Sequence, residues 1–221
     1  MKRPYVIMLS EVTVDGKVTL KRGVSSKIIM GLMDEAANVF LHEERAKSDA
    51  IMVGCNTVKI DNPMLTVRYI EGKSPVRVVP CSKADLSLDS NVLDKEAPTI
   101  IATTTSAPQD NIERIKEKGA KVLVVGDKKV DLKMLLNELY GMGIRRLIIE
   151  GGPTIAWNML KDKLIDEIKS IHMPFIVGGS DTPSLIGGEG VGELDKAIRT
   201  ELADCFMRGK HLITEYKVLY D

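Results

Sequence analysis

The chain has 221 residues, with 31 Lys and Arg against 31 Asp and Glu, 44% hydrophobic and 28% charged. At roughly 150 residues per domain this is enough for one large domain or two small ones, and the apolar content excludes disorder as the main state. A formal charge of zero provides no overall field for a nucleic acid or an acidic membrane face, so an anionic partner has to meet a local site.

The first ten residues carry only a short apolar run, broken at Glu11, where a signal peptide needs a longer one, and the reading is cytoplasmic. A strand is expected over residues 5–9, then an amphipathic helix over 27–47, in which Ile28, Ile29, Leu32, Met33, Ala36, Val39 and Phe40 recur at helical spacing. Buried-strand runs follow at 50–54, 76–79, 99–102, 121–125 and 146–149. All fall far short of the roughly 20 apolar residues of a membrane span. Helices are expected at 110–118, stopped by Gly119, and at 130–140, stopped by Gly141 and capped by Asp131 or Asp127. Pro153 suits a first helical turn, so another helix should run to Leu160. Residues 166–175 and 212–219 read as longer strands, and the glycine-crowded 177–194 as a mobile loop. The pattern predicts a single α/β domain over 1–221, its central sheet mostly parallel with antiparallel C-terminal edge strands. The three cysteines, at 55, 81 and 205 with no CxxC spacing, are read as free thiols.

The dinucleotide fingerprint GxGxxG, the P-loop and the GxSxG elbow are all absent, and His42, His172 and His211 do not fall at metal-ligand spacing, so no metal site is expected. In such a sheet, ligands bind at the carboxyl ends of strands. The strongest candidate is Glu150-Gly151-Gly152-Pro153-Thr154, where a strand runs through two glycines into a helix, so that backbone N–H groups and the helix dipole can meet a phosphate. A plain tight turn is the competing reading. After the strand at 50–54, Thr57 and Asp61 lie four apart, on one face of any helical turn there, and Arg68 offers a fork suited to phosphate; a capped turn is the alternative. Thr13-Val14-Asp15-Gly16-Lys17 by itself is an Asp-Gly turn. Ser82 and Lys83 just past one strand offer a hydroxyl and an ammonium for a phosphate dianion, and Thr103-Thr104-Thr105 offers hydroxyls past the next; each alone is more ordinarily a solvated turn.

Taken in order, 13–17, Val53-Gly54 with Thr57, Asp61, Pro63, Leu65 and Arg68, 75–79, and 150–154 resemble the reductase family of riboflavin biosynthesis, across nearly the whole chain. Asp166-Glu167 and 173–179 resemble its late strand and loop. The sequence departs from the family at Cys81, where an Asp usually precedes the Ser, and at 23–27, which lacks the usual Arg- or Trp-bearing segment. The resemblance implies a dihydrofolate-reductase-like fold, a homodimer, and NADPH-dependent reduction of a diaminopyrimidinone ribosylamine 5′-phosphate to the ribitylamino compound, with NADH as a weaker donor. It implies cofactor contacts from Thr57, Asp61, Ser82, Lys83, Gly151, Gly152, Pro153 and Thr154. Thr13, Leu65, Arg68 and Glu150 would line the substrate, with Lys17 and Arg68 directed at its phosphate. Asp61 and Glu150 are the candidate catalytic acids. Two rival readings are a pterin or folate reductase on the same fold, which needs a carboxylate to grip a pterin ring, and a nucleotide-binding module without turnover.

Overall fold

Short β-branched runs separated by amphipathic stretches form strands and helices in alternation, and the computed structural model describes them for residues 2–220. In chain order they are β1 (Tyr5–Thr13), α1 (Lys27–Met30), α2 (Glu35–Ala46), β2 (Ala50–Met52), α3 (Cys55–Asp61), β3 (Val76–Pro80), β4 (Thr99–Thr103), α4 (Gln109–Glu117), β5 (Lys121–Val124), α5 (Leu132–Gly141), β6 (Arg146–Ile149), α6 (Pro153–Lys161), β7 (Glu167–Met173), β8 (Arg199–Arg208) and β9 (His211–Leu219). The expected fold class is the one observed: α/β, with strands mostly parallel and antiparallel pairs where β9 meets β7 and β8. No helix among the described residues is long and apolar enough to cross a membrane.

The chain divides into two units, one of His42–Ile148 with residues up to Tyr5, the other of Val6–Leu41 with residues from Ile149 onward. In the first, the strand order is β5-β4-β3-β2-β6, with β2, β3, β4 and β5 paired in parallel. Ile51, Met52, Val78, Val79 and Ile101 on the strands and Leu135, Leu136 and Leu139 on α5 are all fully buried, which explains the continuous apolar runs. Asp131 rather than Asp127 caps α5, its side chain accepting the Met134 N–H at 2.9 Å.

Arg77 is buried completely in this unit, on β3. Its guanidinium donates to the carbonyls of Asn91 at 2.7 Å, Asp94 at 3.1 Å and Ala97, and to the Asp94 carboxylate at 2.8 Å. One side chain thus takes up three carbonyls of the connection into β4, those of Asn91, Asp94 and Ala97.

In the second unit the order is β1-β7-β9-β8, with β1 and β7 parallel and both pairs involving β9 antiparallel. β1 runs to Thr13, beyond the expected end at Leu9, because residues 10–13 pair with Ser170–Met173 of β7. The helix expected over 27–47 is two helices. α1 closes at Gly31, and Asp34 begins α2 by accepting the Ala37 N–H at 3.0 Å. The same carboxylate accepts the Lys210 N–H at 2.8 Å in the β8–β9 turn, where Gly209 has φ +60° and packs against it. β8 was not among the expected strands. Most of its residues are exposed, so it shows no apolar alternation, and its ten residues are held as a strand by pairing with β9.

Replacing Arg77 with Met should lower stability by roughly 3–5 kcal/mol, because three carbonyls and the Asp94 carboxylate lose the donor they share. Urea unfolding measures this, and a loss below about 1 kcal/mol would show that water reaches those carbonyls.

Candidate active site

The candidate residues fall into two sets, one in each unit. In the first unit, Thr57 and Asp61 stand one turn apart on α3, both half-buried, as their spacing suggested. The chain then passes through Asn62 at φ +41° and Leu65 at φ +56°, with Leu65 only 2% exposed. Arg68 is held in two ways: its guanidinium donates to Thr66 Oγ1 at 2.8 Å, and its backbone N–H donates to His42 Nδ1 at 2.9 Å. Arg45, also buried, donates to the Thr66 carbonyl at 3.0 Å. To accept from Arg68, His42 Nδ1 must carry no proton. Burial first, then the charges of Arg45 and Arg68, press the ring's pKa from 6.5 down to about 3, so it stays neutral.

Ser82 and Lys83 form the turn after β3. The hydroxyls of Thr103 and Thr104 donate to the Ser82 carbonyl at 3.0 and 2.9 Å, and Asn111 Nδ2 donates to the Lys83 carbonyl at 3.0 Å. Thr103 and Thr104 therefore position this turn, and their hydroxyls, legible in the sequence as strand-end donors, are directed at backbone. Lys83 is exposed and Ser82 half-buried.

The expectation of free thiols is corrected for two of the three cysteines. Cys55 at the start of α3 and Cys81 at the end of β3 are joined as a disulfide with their Cα atoms 5.0 Å apart, and Cys205 is the free, exposed cysteine. The two cysteines are 26 positions apart with no local pattern that marks a pair; parallel neighbours β2 and β3 bring their carboxyl ends together. Beside the sulfurs, Lys59 Nζ donates to Asp85 at 2.7 Å, and this bond holds the Asp85 carboxyl below its ordinary value.

In the second unit, Thr13 and Lys17 close one turn: the Lys17 N–H donates to Thr13 Oγ1 at 2.9 Å and the Thr13 N–H to the Lys17 carbonyl at 2.9 Å. The Thr13 hydroxyl donates to Asp15 at 2.6 Å, and Asp15 also accepts the N–H groups of Val177 at 3.1 Å and Gly178 at 2.6 Å. These bonds, led by that of Thr13, hold the Asp15 carboxyl at about 2. Asp15 thus fastens the glycine-rich segment to the end of β1, a role its Asp-Gly context did not reveal. The Lys17 ammonium donates to the Thr182 carbonyl at 3.3 Å, in the same segment. Thr13 also lines an open cleft of about 300 Å³ with Ile168, Ser170, His172 and Tyr216, residues the sequence did not single out.

Glu150 is half-buried before the turn into α6. Gly151 has φ +107°, which favours glycine, and the space its Cβ would occupy is open for 4 Å. Gly152 is the N-cap of α6 with an ordinary extended backbone, φ −78° and ψ 164°, and caps the helix without a side-chain bond; Pro153 fills the first turn. Parallel strands, an antiparallel edge and a glycine-marked helix start place the chain in the α/β class, in which ligands bind at the carboxyl ends of strands.

The model of the RibD C-terminal domain matches residues 4–214, and the chain belongs to that family. It is 58% identical over 220 residues to the 2,5-diamino-6-ribosylamino-4(3H)-pyrimidinone 5′-phosphate reductase of Aquifex aeolicus, covering 99% of this chain and 98% of the relative. It is 44% identical to the protein of the same name from Methanothermobacter thermautotrophicus, covering 98% and 99%. Among solved structures it superposes on RibD of Acinetobacter baumannii with a TM-score of 0.82 at 22% identity, over 98% of this chain and 58% of that one, a likeness of fold.

Between about pH 6.5 and pH 4 the unfolded chain takes a proton on His42 that the folded chain refuses, so stability falls with falling pH. The loss should reach roughly 3 kcal/mol at pH 4. His172, also lowered by burial, acts in the same direction, so the difference between wild type and His42→Leu isolates the effect of His42. Urea unfolding at pH 7, 5 and 4 measures it, and parallel pH curves for the two proteins would refute a neutral His42.

Proposed function

We propose that this chain works as a single reductase domain of riboflavin biosynthesis, taking hydride from NADPH, with NADH as a weaker donor, to reduce a diaminopyrimidinone ribosylamine 5′-phosphate to its ribitylamino 5′-phosphate. The observation that carries the reading is the turn from Glu150 through Gly151 and Gly152 into α6, in a chain 58% identical to a reductase named for that substrate. The turn suits a pyrophosphate. No side chain caps the helix start, and no Cβ fills the open space at Gly151.

Gly151, Gly152, Pro153 and Thr154 would hold the pyrophosphate, Thr57 and Asp61 the remainder of the cofactor, and Ser82 with the exposed Lys83 the adenosine-side phosphate. The bound cofactor supplies the hydride, which goes to C1′ of the ring-opened ribosylamine. Thr13 and Leu65 line the substrate, and Arg68, held by His42 and Thr66, presents its guanidinium to the 5′-phosphate. Lys17 is a second phosphate ligand once its ammonium leaves the Thr182 carbonyl. Asp61 and Glu150 are the groups assigned to hold a proton at the substrate nitrogen. The proposed assembly is a cytoplasmic homodimer. Its support is β8, at the end of its unit's strand order, which leaves Leu202 52% and Met207 59% exposed.

The test is loss of NADPH absorbance with the ribosylaminopyrimidine phosphate, its deaminated counterpart and dihydrofolate in parallel. Oxidation with the diamino compound supports the proposal. Oxidation with dihydrofolate alone makes the chain a folate reductase, and binding without oxidation by any of the three makes it a binding module. Arg68→Ala should raise the substrate KM about 30-fold, the equivalent of about 2 kcal/mol, while the NADPH KM changes little; equal changes in both would remove Arg68 from the substrate. Gly152→Val, which sets a branched side chain where the pyrophosphate is placed, should weaken NADPH binding at least about tenfold. Unchanged affinity in the folded variant rejects the phosphate turn.

A further inference from the structure

Cys55 and Cys81 join two segments to which the proposed function assigns cofactor contacts. Cys55 opens α3, which carries Thr57 and Asp61; Cys81 directly precedes Ser82 and Lys83. The two segments are not equally held without the bridge. The Ser82–Lys83 turn keeps its bonds from Thr103, Thr104 and Asn111, and the Ala84 N–H donates to the Cys81 carbonyl at 2.9 Å. The start of α3 has only the extended Gly54 as its N-cap, with no side-chain bond. Cys55 is half-exposed, so a thiol can reach its sulfur, whereas Cys81 is 2% exposed. That is the layout of an accessible thiol beside a buried resolving one.

We propose that Cys55 and Cys81 are a reversible thiol–disulfide site that sets NADPH affinity by fixing or releasing the start of α3. The proposal rests on the cofactor assignment of Thr57, Asp61, Ser82 and Lys83. In oxidation, the Cys55 thiolate attacks one sulfur of a low-molecular-weight disulfide such as oxidised glutathione, expelling one thiolate. The Cys81 thiolate then attacks the Cys55 sulfur of that mixed disulfide and expels the second. Two electrons and two protons leave the protein, and the oxidant becomes two thiols. With the bridge formed, α3 is ordered before the cofactor arrives, so less ordering is left to do on binding. Asp85, with Cys55 and Cys81, also makes a cluster of metal-ligand type, but the Lys59 ammonium already sits 2.7 Å from its carboxylate, which favours the redox site over a cation site.

The experiment uses the whole protein equilibrated with oxidised glutathione or with dithiothreitol freed of metal. Thiols are titrated under denaturing conditions, and NADPH affinity is read from its fluorescence. The expected count is one thiol after oxidation, from Cys205, and three after reduction. Reduction should raise the NADPH Kd about fivefold and lower the melting temperature by about 10 °C. Cys55→Ser should show the reduced-state Kd under both conditions, and Cys205→Ser the wild-type switch. Three thiols after oxidation, equal Kd values in the two states, or a zinc ion retained by the reduced protein with two thiols protected would each overturn the proposal. If neither state binds NADPH while the count still moves between three and one, the cofactor assignment fails and the reversible bridge stands.

Discussion

A strand that gives way to a loop leaves carbonyl and N–H groups without ladder partners, and the structure depends on the few polar side chains that take them up. Arg77 does this for the connection into β4, Thr103 and Thr104 for the Ser82 carbonyl, and His42 for the Arg68 N–H. In the other unit Asp15 takes the N–H groups of the glycine-rich segment, and Asp34 those of α2 and the β8–β9 turn. Each is a polar side chain bonded to backbone, so it fixes where a loop runs without specifying what that loop's own side chains do. Residues available to a ligand, such as Lys83 and Arg68, can therefore stay exposed on segments whose main chain is pinned.

Those bonds also set charge states. His42 accepts from a main-chain N–H and lies near two arginines, so its neutral form is the one compatible with its position. Asp15 shows the opposite case: donors converge on its carboxylate, and its charge is retained well into acid. His211 also meets main chain on both sides of its ring, with Nδ1 3.2 Å from the His172 carbonyl and Nε2 accepting the Asp34 N–H at 3.3 Å. Two of the chain's three histidines thus serve as main-chain acceptors, a use with no characteristic spacing in sequence.

Most of the central elements were legible because burial on both faces writes apolar runs, as on β2, β3, β4 and β6; β5 falls on such a run too, although its residues are partly exposed. α6 was legible from Pro153, and the start of α5 to within a choice of Asp131 or Asp127 as its cap. What escaped was set by distant partners. β8 carries no apolar alternation because its faces are mostly exposed, and the split between α1 and α2 depends on Asp34, an N-cap whose other ligand is 176 residues away at Lys210. The one-turn separation of Thr57 and Asp61 on α3 was legible from their spacing. The work of Asp15, His42 and Thr104 was hidden, since a side chain bonded to remote backbone leaves no local pattern.

The Cys55–Cys81 bridge belongs to that hidden class and differs from the rest in one respect. A hydrogen bond from Thr104 or His42 forms whenever the chain folds, whereas a covalent link between sulfurs also requires two electrons to leave. The turn after β3 is held by bonds of the first kind from three side chains, so its conformation follows from folding alone. The start of α3 leans on the second kind, since Gly54 supplies no side-chain cap. The order of α3 therefore depends on the surroundings as well as on the sequence. Farther along the helix Lys59 still reaches Asp85 at 2.7 Å, so the part of α3 that the sulfurs bear on is its first turn, where Thr57 lies.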